Sequence, residues 1–166
     1  MKHTISVLVE NHFGVLARIA GLFSTRGYNI DSLSVGETED PQVSRMTVVV
    51  HGDDTVIEQI TRQLDKLVDV IRVVDLTAER FVERELVMLR VAVDGRKRSE
   101  VLEIAAIFRA KAVDINESAM VFEVTGSQSK VEAFIDMMRA FGIMELVRTG
   151  EIAIARSERP GAAPAR

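Results

Sequence analysis

The chain has 166 residues, 47% of them hydrophobic and 28% charged, with a formal net charge of -4, enough for one ordinary domain or two small ones. The acidic balance argues against nucleic acid, because duplex-binding surfaces carry a basic excess. The absence of cysteine excludes a disulfide framework, a thiolate nucleophile and cysteine-ligated zinc. The opening MKHTISVLVE reads as a strand that begins at once rather than as a secretory signal. No apolar run approaches the roughly 20 residues of a membrane helix, so a cytoplasmic protein without a membrane partner is expected.

In chain order, TISVLVE (4–10) is β-branched and apolar, as a mostly buried strand should be. After Gly14 the period changes: Val15, Leu16, Ile19, Ala20 and Phe23 share one helical face, and Gly27 stands where a helix ends. NIDSLSVGE (29–37) reads as a second strand and SRMTVVVHG (44–52) as a third. Asp53 or Asp54 can cap a helix with the stripe Ile57, Ile60, Leu64 and Leu67, and DVIRVVDL (69–76) supplies the fourth strand. The order is βαββαβ.

The same order then recurs. ELVMLRVAV (85–93) is a strand, and Arg98 to Phe108 a helix with Ser99 as its cap and Val101, Ala105 and Phe108 facing inward. AVDINES (112–118) and MVFEVTG (120–126) form a shorter hairpin. Val131, Phe134, Ile135, Met138 and Phe141 mark a helix closed by Gly142, and MELVRTGEIAIAR (144–156) is a last strand with a possible break at Gly150. FSTRGYNIDSL resembles FRAKAVDINES, and VVVHGDDTVIEQI resembles FEVTGSQSKVEAF, as a duplicated unit predicts.

The expected fold is therefore α+β, two ferredoxin-like βαββαβ domains. Residues 1–77 form the first, 78–83 a linker, 84–156 the second, and 157–166 a disordered tail. In this topology the second strand lies at a sheet edge, which invites pairing with a second copy.

Composition narrows the function. The central strands TISVLVE and SRMTVVVHG carry no aromatic on which RNA bases could stack. His3, His12 and His51 show no ligand spacing, so no metal site is expected, and no phosphate loop, GxSxG elbow or HExxH helix occurs. No catalytic residue is expected. What is left is the turn VENHFGVLARI (9–19). Its free helix N–H groups and the positive end of the helix dipole suit a carboxylate, and Gly14 leaves room for close approach. Asn11 offers an amide oxygen to an ammonium group. Asn29 and Ile30, at the start of the edge strand, could add a polar contact and an apolar wall from a neighbouring chain. These groups together describe a site for a small aliphatic amino acid. Competing readings make Gly14 a plain turn glycine, Asn11 a local cap, Asn29 the end of a connection, and Arg18 and Arg26 solvated helix charges.

SVLVENHFGVLARIAGLFSTRGYNIDSLSVGETEDPQVSRMT, followed by EQITRQLDKLVDVIRVVDL, closely resembles the regulatory (small) subunits of acetolactate synthase, also called acetohydroxyacid synthase. The first half is similar to their ACT domain and the second to their C-terminal ACT-like domain; RGYNIDSL, SRMT and QLDKLVDV are the most specific stretches. The resemblance implies a subunit with no cofactor and no active site of its own. It implies activation of a large catalytic subunit that carries thiamine diphosphate, Mg and FAD and condenses two pyruvates to acetolactate. It also implies feedback inhibition by valine or another branched-chain amino acid, held by Asn11, Gly14, Val15 and Leu16 with Asn29 and Ile30 of the second chain of a homodimer. Arg45, Gln63, Lys66 and Asp69 are candidate contacts to the large subunit because they lie in these stretches. A free-standing amino-acid sensor without a catalytic partner is the alternative.

Overall fold

The computed structural model describes residues 1–157. Contacts divide the chain into two compact units, Met1–Val82 together with the segment from Ala153, and Glu83–Ile152.

The first unit runs β1 (Lys2–Glu10), α1 (Val15–Thr25), β2 (Ile30–Glu37), β3 (Val43–His51), α2 (Asp54–Leu64) and β4 (Val70–Asp75), followed by a 3-10 turn at Leu76–Ala78. Its sheet has the order β2-β3-β1-β4, with β1 antiparallel to both β3 and β4 and β2 antiparallel to β3. The alternation legible in β1 places Ile5, Val7 and Val9 in a core with Val15, Ile19 and Phe23 of α1 and Ile57, Ile60 and Leu64 of α2. Burying each such side chain contributes about 1.5–3 kcal/mol. The helix ends follow local chemistry. The Asp53 carboxylate accepts from the Val56 N–H and caps α2. Gly27, at φ 71°, lets the Tyr28 N–H return to the Phe23 carbonyl at 3.0 Å and close α1.

The second unit repeats the plan with β5 (Phe81–Ala92), α3 (Arg98–Ile107), β6 (Lys111–Ile115), β7 (Ala119–Gly126), α4 (Gln128–Arg139) and β8 (Ile143–Arg148). The strand order is β6-β7-β5-β8; β9 (Ile152–Ala155), whose residues from Ala153 group with the first unit, also pairs with β5. Its core joins Val87, Leu89 and Val91 to Phe122, Phe134 and Met138. The Phe134 ring lies 5.5 Å from that of Phe108 and 6.3 Å from that of Phe122.

Two local expectations change. The segment 78–83, read as a linker, contains the end of the 3-10 turn and the start of β5. Ser99 does not cap α3; it lies inside the helix, whose start at Lys97 has no side-chain cap. The last strand does break where Gly150 stands: at φ 84° it turns the chain between β8 and β9. The tail read as disordered lies, beyond Ser157, outside the described residues.

Candidate functional site

β1 ends at Glu10, and four residues later α1 begins. Gly14 stands at the helix N-cap with φ 89° and ψ -10°, a left-handed conformation that side chains rarely adopt, and no side chain caps this helix start. The amide hydrogens of the first turn of α1 are therefore directed outward, with the positive end of the dipole behind them.

Around this opening the expected residues divide. Asn11 is exposed, and its Nδ2 donates to the Pro41 carbonyl at 2.9 Å and to Glu37 Oε1 at 3.2 Å. Both bonds use the amide nitrogen, which leaves the oxygen turned away from them. Leu16 is half exposed, whereas Val15 is buried in the core and can offer only its main chain. Phe13, at the tip of the turn, is fully exposed.

Asn29 and Ile30 lie beyond the far end of α1. An 11-residue helix spans about 16 Å, so one chain does not bring them to the turn. Asn29 donates to Asp31 Oδ1 at 3.2 Å, and Ile30 begins the edge strand β2 and packs partly on the core.

Residues that sequence spacing did not single out lie beneath the turn. Asp69, on the loop between α2 and β4, is only 5% exposed. Its Oδ1 lies 2.9 Å from His12 Nε2, and its Oδ2 lies 2.9 Å from Arg18 NH1. Glu10 Oε2 is 3.4 Å from the same His12 nitrogen. Glu10, His12 and Asp69 thus bring three potential metal-ligand atoms together, a grouping that histidine spacing could not reveal. The Arg18 guanidinium already meets Asp69 with positive charge, which disfavours a cation and makes an ion-pair network the better account. Arg18 is accordingly a paired group rather than a freely solvated charge. Asp69 is too buried to be a surface contact for another subunit, whereas Arg45 is exposed and donates to Ser6 Oγ at 3.0 Å.

The fold and turn define a pair of ferredoxin-like units of the ACT type, with one open helix start in the first. Residues 5–72 match the family described as an AHAS small subunit-like ACT domain, and 84–157 match the small subunit of acetolactate synthase. A probable acetolactate synthase small subunit of Archaeoglobus fulgidus is 55% identical over 96% of this chain and 99% of its own length. The acetolactate synthase small subunit of Aquifex aeolicus is 50% identical over 93% of this chain and 81% of its own. The crystal structure of the acetolactate synthase small subunit from Thermotoga maritima superposes with a TM-score of 0.87 at 40% identity, covering 96% of this chain and 99% of that one. The chain belongs to the family of acetolactate synthase small subunits. Among the described residues, no helix is long and apolar enough to cross a membrane.

Proposed function

We propose that this chain works as a homodimer that binds the large catalytic subunit of acetolactate synthase, raises its activity and makes it sensitive to valine or another branched-chain amino acid. Thiamine diphosphate, Mg and FAD, and with them the condensation of pyruvate, belong to the large subunit. This chain contributes binding and not chemistry. Membership in a family of small subunits supports the association with a large one.

The observation that carries the effector site is the uncapped start of α1 at Gly14 beside an edge strand whose two ends differ. The Glu37 end of β2 is bonded to Asn11 and so lies at the turn, while the Ile30 end lies far from it. Antiparallel pairing of two β2 edges about a two-fold axis sets the start of one strand beside the end of the other. Asn29 and Ile30 of the second copy then reach the Asn11–Leu16 turn of the first. Val35, Leu16 and Phe13 are exposed apolar side chains on the edge strand and turn that such pairing would cover.

In this arrangement the effector carboxylate takes the free N–H groups of α1 and the ammonium takes the Asn11 oxygen. The aliphatic side chain rests against Leu16 and the second copy's Ile30. Effector held across the seam favours one arrangement of the paired sheets, and a coupling of about 1–3 kcal/mol suffices for several-fold to hundredfold regulation. Calorimetry of the purified chain with valine, leucine and isoleucine, combined with capture of the large subunit and assay of the complex, tests the reading. Binding of one of the three, with inhibition of the complex, is expected. No binding of any of them removes the effector site, and no capture of the large subunit leaves a free-standing sensor.

A further inference from the structure

Arg18 breaks a local rule. It is the fourth residue of α1, where the positive end of the dipole favours an acidic side chain and opposes a basic one. The first turn of α1 contains no acid. Two positive features therefore share one corner, and such inconsistencies between residue and local structure concentrate at functional sites.

Asp69 supplies one compensating anion from beneath. It divides its two oxygens between His12 and Arg18, at 2.9 Å each, and its main-chain carbonyl accepts the Glu10 N–H at 2.9 Å. A carboxylate this buried is stabilised only by such pairing, so the contact holds the guanidinium in one place.

That place is above Gly14. A side chain on a helix leans toward its N-terminus, so residue 18 covers residue 14. A Cβ built on Gly14 would lie 3.9 Å from Arg18 NH2. The ion pair to Asp69 runs through NH1, and no hydrogen bond among the described residues uses NH2. One nitrogen is thus anchored, and its twin is presented at the mouth of the turn.

We infer that Arg18 reads the carboxylate of the effector: NH2 donates a charge-assisted hydrogen bond to it alongside the main-chain N–H groups of α1, and Asp69 positions the guanidinium. This inference rests on the turn being the amino-acid site proposed above. It makes the corner selective for a free carboxylate over an alcohol or amide. It also gives the empty space at Gly14 a second use, since a side chain there would enter the gap between guanidinium and main chain.

The test is calorimetric titration of the full chain with valine and with valinol, which keeps the ammonium and side chain but replaces the carboxylate with a hydroxymethyl group. Arg18→Gln is expected to weaken valine by about ten- to a hundredfold, the scale of one charge-assisted hydrogen bond, while valinol changes little. Arg18→Lys should recover part of the loss, and Asp69→Asn should lower the valine-to-valinol ratio in the same direction as Arg18→Gln. Circular dichroism checks that each variant is folded, and Arg18→Lys carries the test if Arg18→Gln is not. Unchanged valine affinity in Arg18→Gln, or equal losses of valine and valinol, would overturn the inference while leaving the site standing. A parent chain that binds no branched-chain amino acid overturns the site as well.

Discussion

The two units use one topology but finish the same corner differently. In the first, the turn from β1 to α1 has a left-handed glycine, no side-chain cap, and an arginine held above the opening by a buried aspartate. In the second, the turn from β5 to α3 carries its own carboxylate. Asp94 Oδ1 accepts the N–H groups of Arg96 at 3.0 Å and Lys97 at 2.9 Å. The hydrogen bond from Lys97, then that from Arg96, holds the Asp94 carboxyl below its ordinary value. Neither helix start has a side-chain cap, but the second corner carries Asp94 just before α3 and Glu100 in its first turn, whereas the first turn of α1 has no acid. Duplication of a fold therefore preserves the helix end but not the charge around it, and function separates from architecture at that point.

The largest difference between the two units can be made in their cores. Phe134→Ala removes a buried ring packed on Phe108 and Phe122 and should cost about 3–5 kcal/mol. Thermal unfolding should show the loss in the second unit while valine binding at moderate temperature survives. Loss of valine binding in a still-folded variant would place part of the effector site in the second unit.

Gly14→Asp acts on the open corner itself. It forces a side chain into φ 89° and sets a carboxylate within reach of Arg18 NH2, imitating the second unit's Asp94. Valine affinity should fall by about a hundredfold or more, near the upper range of such couplings, with activation of the large subunit retained. Full valine sensitivity in this variant would show that the effector binds elsewhere. Calorimetry of the unaltered chain should likewise give one effector per chain, because only the α1 corner lacks an acid in the first turn of its helix.

A smaller effect separates a capped helix from an uncapped one. Asp53→Ala removes the carboxylate bonded to the Val56 N–H at 2.9 Å and should lower stability by about 0.5–2 kcal/mol, read from denaturant midpoints, without altering valine affinity.

The smallest concerns Asp94. Its folded pKa lies below the unfolded value, so its stabilisation is complete above the ordinary carboxylate range and is lost as pH falls through the folded pKa. Proton titration followed by NMR should find Asp94 ionised to lower pH than a free aspartate. Asp94→Asn should flatten that acid-side dependence, and an unshifted Asp94 would remove the contrast between the corners.

Much of this contrast was legible from residue order. The strand-to-helix change after Gly14, the cap at Asp53, the closing glycines 27 and 142 and the shorter second hairpin all follow from spacing and backbone chemistry. Asp94 is less legible than Ser99, which has the more familiar cap chemistry, although an aspartate two and three residues before the N–H groups it accepts from is itself a recognisable signal. Arg18 was legible only as a basic residue on a helix.

Local residue order sets the succession of elements, the inward faces of strands and helices, the exposed edge at β2 and the need for glycine at residue 14, since each depends on neighbours within a few positions. Tertiary structure alone decided that Asp69 lies under His12 and Arg18, that Asn11 is tied to the far end of β2, and that β9 joins β5. Those relations connect residues distant along the chain, which no local period records; they exist only once the cores of the two units have closed and fixed where each loop must pass.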